Sequence, residues 1–80
     1  MRATVLVRPK EGILDPQGEA VLGALRHLDF AVSDVRVGRV VDIELDAETA
    51  DDARTVVGRM CEQLLANPLI ESFEIAIEQP

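Results

Sequence analysis

The sequence predicts an α+β fold, a two-layer α/β sandwich in which two helices cover one face of a small sheet. Three observations predict it. Apolar residues alternate with polar ones in three separated stretches, they recur at three- and four-residue spacing in two others, and the stretches follow one another as β-α-β-α-β. Helix start and stop signals stand at the junctions. No linker, internal repeat or low-complexity tract interrupts residues 1–80, which are expected to form one domain.

In the first strand, Ala3, Val5 and Val7 share one side and Thr4, Leu6 and Arg8 the other, as a half-buried strand requires. Pro9 ends it. After a short loop, Asp15 offers a carboxylate to cap free helix amides, and Pro16 takes the first helical position, where its missing N–H costs nothing. Val21, Leu22, Leu25 and Leu28 form the apolar stripe of this helix. His27 falls near its end, where a cationic side chain suits the helix dipole and no local partner suggests catalysis.

From residue 32 to 46 the alternation keeps one phase, with Val35, Val37, Val41, Ile43 and Leu45 all at odd positions and Arg39 the interruption. A two-residue hairpin at Gly38-Arg39 would send Asp42 and Glu44 inward, and a three-residue turn would force Val40 to a positive φ that a β-branched residue resists. One long central strand, bent at Gly38, is therefore predicted. At about 3.3 Å per residue it would span roughly 45 Å, more than so small a domain needs, so part of it is expected to pair or pack outside the monomer.

Thr49 and Asp52 resemble a capping box, with Asp51 adding favourable charge at the start of the second helix. Its stripe is Ala53, Val56, Val57, Met60, Cys61, Leu64 and Leu65. Asn67 is read as a left-handed C-cap, and Pro68 bars continuation. The last strand alternates Phe73, Ile75 and Ile77 with Glu74, Ala76 and Glu78. A sandwich of this kind is related to the ferredoxin-like fold.

A domain of this length buries only about 60% of the surface its unfolded chain exposes, and small cores are commonly supplemented by disulfides, a metal or oligomerisation. Cys61 is the only cysteine and His27 the only histidine, so neither a disulfide framework nor a structural zinc site can be built. Oligomerisation or partner binding remains. A net charge of -7, with Phe30 and Phe73 the only aromatic residues, opposes nucleic-acid and anionic-membrane surfaces. With no long apolar run, the chain is expected to be cytoplasmic.

Cys61 lies within the apolar stripe and reads as a packed thiol, not a nucleophile. Glu44, Asp46, Glu48, Asp51 and Asp52 cluster without the spacing of a calcium loop, and the glycines assemble no phosphate loop. No catalytic, cofactor-binding or metal-binding residue is assigned. Three features stand out: Lys10 ahead of Asp15-Pro16-Gln17-Gly18, the bend Val37-Gly38-Arg39, and Ala66-Asn67-Pro68. Each also serves as a helix start, a strand bend with a snorkelling arginine, and a helix stop.

Val7-Arg8-Pro9-Lys10-Glu11-Gly12-Ile13-Leu14-Asp15-Pro16-Gln17-Gly18, Val35-Arg36-Val37-Gly38-Arg39 and Met60-Cys61-Glu62-Gln63-Leu64-Leu65-Ala66-Asn67-Pro68-Leu69-Ile70-Glu71 together resemble the PurS family. That family is the small subunit of phosphoribosylformylglycinamidine synthase, and the resemblance covers nearly the whole chain. It implies a non-catalytic role in de novo purine (IMP) biosynthesis, where formylglycinamide ribonucleotide, glutamine and ATP yield the amidine. It further implies that the PurL synthetase subunit uses ATP and Mg, that the PurQ glutaminase subunit releases ammonia, and that the small subunit binds no cofactor. The small subunit would form a dimer or tetramer, bridge the other two and assist ammonia transfer.

From the resemblance and the local backbone chemistry, Lys10, Asp15, Gly38, Arg39 and Asn67 are expected to be interface or loop-shaping residues. Arg39 stands where the family commonly has lysine, a planar fork in place of a point charge. Asp29-Phe30 replaces a glycine-containing turn often found after the first helix. The alternative is a ligand-sensing regulatory module of the ferredoxin-like type, distinguished by binding of a small metabolite.

Overall fold

The computed structural model describes residues 1–78. Strand β1 (Arg2–Pro9), helix α1 (Pro16–His27), strand β2 (Arg39–Glu44), helix α2 (Ala50–Met60) and strand β3 (Glu71–Glu78) follow in the predicted order, and Cys61–Leu65 continue α2 as a π-helical segment. The three strands form one antiparallel sheet in the order β2-β1-β3. Val5 lies between Val41 and Ile75, and Val7 between Arg39 and Phe73. Because side chains alternate along a strand, this register gathers Ala3, Val5, Val7, Val41, Ile43, Phe73, Ile75 and Ile77 on one face.

Helix α2 covers that face. Thr49 Oγ1 accepts from the Asp52 amide at 3.0 Å, as its capping pattern predicts, with Asp51 and Asp52 in the first turn. Ala53, Val57 and Cys61 point down onto the sheet, and Ala3, Val5, Val7, Val57, Cys61 and Ala66 make the buried cluster. In the π-helical segment the Ala66 amide reaches Cys61 O at 3.0 Å, a five-residue span. The opposite face of the sheet is wet, with Arg2–Asp42 and Arg8–Glu74 ion pairs at 3.3 and 3.7 Å and a Thr4–Asp42 hydrogen bond at 2.9 Å. Exposed ion pairs of this kind contribute about 1 kcal/mol or less.

The long strand over residues 32–46 is corrected. Pairing begins only at Arg39, and β2 is an edge strand, with β1 in the centre. Residues 32–38 lie outside the sheet, because the Val37 amide is taken at 2.8 Å by the Asp15 carboxylate and not by a neighbouring strand. Gly38 sits so close to the Val7 carbonyl that a Cβ would have no room.

The expectation that both helices cover the sheet is also corrected: α2 alone packs substantially on it. In α1 only Gly18 is buried, held between the Asp15 carboxylate and the Val35 carbonyl. The helix packs instead with residues 32–38, tied by Asp15 to Val37 and by Arg26 Nε donating to Val32 O at 3.1 Å. Together they form an arm. The molecule is 50 Å long with a radius of gyration of 15.8 Å, against about 12 Å for a compact chain of this length. Eight residues of strand at about 3.3 Å and twelve of helix at about 1.5 Å, laid end to end, account for most of that length.

Helix α1 ends in a Schellman motif. Phe30 N donates to Leu25 O and Asp29 N to Arg26 O, both at 3.0 Å, which turns Asp29 to φ 70°. Glycine takes this conformation most readily, and Asp is among the few other residues that tolerate it. Asn67, in contrast, has no positive φ; Asp29 is the only non-glycine residue among those described that does. The left-handed C-cap at Asn67 is thus corrected: α2 ends with Ala66 extended at φ -134° and ψ 147°.

Candidate functional site

The residues singled out from the sequence converge at one end of the sheet, where β1 ends and β2 and β3 begin. Lys10 N donates to Ile70 O at 2.9 Å and Lys10 Nζ to Pro68 O at 2.7 Å, stitching the loop after β1 to the loop before β3. Arg39, opening β2, grips Glu71, opening β3, through Nη1–Oε2 at 2.7 Å and Nη2–Oε1 at 3.1 Å. The same Nη2 donates to Leu65 O, the end of the π-helical segment. Glu71 Oε1 also accepts the Asn67 amide at 2.7 Å, while Asn67 Oδ1 accepts from Leu69 N at 3.1 Å. Across the sheet end, Asp15 caps α1 through Gly18 N at 3.1 Å and holds Val37, next to Gly38.

Arg39 is used as a planar donor. Its fork meets a carboxylate in two parallel bonds, which a lysine ammonium cannot reproduce, and a further donor reaches a helix-end carbonyl. The Arg39 guanidinium first, and the Asn67 amide second, hold the Glu71 carboxyl below its ordinary 4.5. The Val37 amide, then that of Gly18, holds Asp15 below 3.8. These carboxylates are charged structural anchors at neutral pH, not poised acids or bases. Burial first, and Glu62 second, push the Cys61 thiol up, away from nucleophilic use.

Glu71 is the residue that sequence reasoning passed over. It stands at the end of the last quoted motif, but a glutamate opening an amphipathic strand looks like any solvated carboxylate, and only its distance from Arg39 reveals it as a hub. Leu14, Leu64 and Leu69, within or next to the segments these bonds tie, are about four-fifths exposed. A groove of about 540 Å³ mixes Glu11, Glu19 and Asp34 with Lys10 and Arg36. Among the described residues no group of His, Cys, Asp and Glu stands ready to hold a metal ion, and no helix is long and apolar enough to cross a membrane. Such an arrangement locks the loops at this end of the sheet.

A family model described as PurS: Phosphoribosylformylglycinamidine (FGAM) synthase matches residues 2–79. The chain belongs to the PurS family. Among curated PurS subunits of this synthase it is 42% identical to that of Bacillus subtilis, over 98% of this chain and 93% of that one. The crystal structure of Methanocaldococcus jannaschii PurS, described as one of the subunits of formylglycinamide ribonucleotide amidotransferase in the purine biosynthetic pathway, superimposes with a TM-score of 0.88 at 36% identity. It covers 99% of this chain and 96% of that one. A chain in the structure of PurLQS from Thermotoga maritima superimposes with a TM-score of 0.85 at 30% identity, over 94% and 93% of the two chains. As a PurS subunit the chain is part of an ATP-dependent ligase complex of purine biosynthesis and is its non-catalytic component.

Proposed function

We propose that this chain bridges the glutaminase and synthetase subunits of phosphoribosylformylglycinamidine synthase and assists the passage of ammonia from one to the other. The observation that carries the reading is the convergence of Lys10, Arg39 and Asn67 on the loops at one end of the sheet, in segments that also carry the exposed Leu64 and Leu69. Hydrogen bonds fix the backbone of three loops there, so apolar side chains are presented at low entropic cost to a partner. In this reading PurL and PurQ are the partners, ATP and Mg are held by PurL, and the chain works in the cytoplasm without binding a cofactor itself.

Self-association is part of the proposal. The radius of gyration and the exposed stripe of α1 leave the monomer short of a closed core, a deficit that a dimer or tetramer would remove. The test is the rate of amidine formation by the two larger subunits with and without this chain, using glutamine or free ammonia. Loss of only the glutamine-dependent rate on omission is expected. An unchanged glutamine-dependent rate would sink the bridging role.

A further inference from the structure

The wet face of the sheet, turned away from α2, carries a gap that the fold leaves open. Leu6 of β1 and Val40 of β2 stand side by side across the ladder, and Val40 is more than half exposed. One pair further along, the register brings Arg8 opposite Gly38, which has no side chain to fill the place; a Cβ there would meet Arg8 Cγ at 3.3 Å. An open cavity of about 250 Å³ results, lined by Leu6, Arg8, Arg36, Gly38, Arg39 and Val40.

Its charge runs against that of the chain. The sequence sets 15 Asp and Glu against 8 Lys and Arg, yet three arginines meet here and no carboxylate lines the cavity. Arg39 is spent on the Glu71 clamp and on Leu65 O. Arg8 reaches Glu74 only at 3.7 Å, beyond hydrogen-bond length, with both side chains more than half exposed. Arg36 is exposed and makes no ion pair among the described residues. Asp15, whose carboxyl feels Arg36, is already taken by the amides of Val37 and Gly18. Glu11, Glu19 and Asp34 share the neighbouring groove with Arg36 without pairing with it.

Two underused guanidinium groups beside an apolar floor define a complement. A guanidinium offers parallel donors to a carboxylate. A bare phosphate would leave the Leu6–Val40 floor in water, whereas a peptide carrying an apolar residue next to its carboxylate covers it. Because the chain is otherwise acidic, an acidic segment is repelled from most of its surface and drawn to this end, which sets the orientation of docking.

We infer that this cavity receives an Asp or Glu side chain of a partner subunit, flanked by an apolar residue, with Arg36 and Arg8 as donors and Leu6 and Val40 as the floor. The inference deepens the bridging reading and rests on it.

The test measures binding of the full chain to PurL and to PurQ by sedimentation at low and high salt. Arg36→Glu is expected to raise the dissociation constant for one of them about tenfold or more at low salt and to flatten its salt dependence, and Arg8→Glu to act in the same direction. Arg59→Glu, the same change of charge at an exposed α2 residue outside the cavity, is expected to leave binding nearly unchanged. An unmodified chain that binds neither subunit overturns the bridging reading and this site together. Binding by the unmodified chain that Arg36→Glu weakens no more than Arg59→Glu does overturns the site alone. So does a lower mass of the isolated Arg36→Glu chain in light scattering, which would put a second copy in the cavity. Submillimolar inorganic phosphate that shifts the Val40 amide resonance and displaces the partner would assign the cavity to a free anion instead.

Discussion

The sheet with α2 and the arm of α1 with residues 32–38 are built on the same amphipathic logic, yet only the first is finished. In the sheet half, Val5, Val7, Val57 and Cys61 are essentially inaccessible; in the arm, Val21, Leu28 and Phe30 remain open and a glycine is the one buried helical residue. The first half owes its order to burial, which is non-directional and strong. The arm owes its order to a few directed hydrogen bonds from Asp15 and Arg26. One region stores stability, and the other shape.

The sharpest way to break this contrast is to place a charge in each half. Val57→Asp buries an unpaired carboxylate and is expected to remove several kcal/mol, enough to unfold so small a domain. Val21→Asp, read in urea at concentrations where the chain is monomeric, is expected to change stability by less than about 1 kcal/mol. Comparable losses would show that the arm is more closed than its exposure indicates.

Glycines sharpen the same comparison. Gly38→Ala would drive a Cβ into the Val7 carbonyl and is expected to cost about 1–3 kcal/mol as the start of β2 shifts. Gly23→Ala in α1 has open space and helical geometry, so a gain of about 0.5–1 kcal/mol is expected in thermal or urea unfolding. A neutral Gly38→Ala would mean that the arm joins the sheet more loosely than the close contact implies.

Arg39→Lys keeps the charge but loses the fork, and its urea midpoint is expected to fall by less than that of Gly38→Ala, since the arginine side chain is about half exposed. The smallest effect is in pH. Folding holds Glu71 below 4.5, so its contribution is fully present above that value and fades as pH falls through it towards the depressed folded value. The urea midpoint is therefore expected to decline below about pH 4.5, and Glu71→Gln to flatten that decline. An identical acid profile in the Glu71→Gln chain would remove the clamp from the stability of this end.

What the sequence disclosed and what it hid follow the same division. Capping by Asp15 and Thr49, the order of the five elements and the inward placing of Ala53, Val57 and Cys61 are local signals, and each was legible; Val56 and Leu64, read into the same stripe, are exposed instead. The helical stripe of α1 announces that something covers it but carries no address, so assigning it to its own sheet was the natural misreading. The phase of residues 32–46 correctly placed Val41, Ile43 and Leu45 on one side, but phase says nothing about where pairing stops; a side chain 22 positions away, Asp15, decides that by taking the Val37 amide. Lys10, Asp15, Gly38, Arg39 and Asn67 were each visible, whereas their meeting place, and Glu71 at its centre, depend mainly on contacts between residues 22 to 58 positions apart.

Cys61 gives the molecule an internal clock. It is fully inaccessible where α2 meets the sheet, and it is the chain's single thiol. Its reaction with a disulfide reagent would report each opening of that half and stay silent to any motion of the arm, so one unlabelled chain separates the two motions by rate.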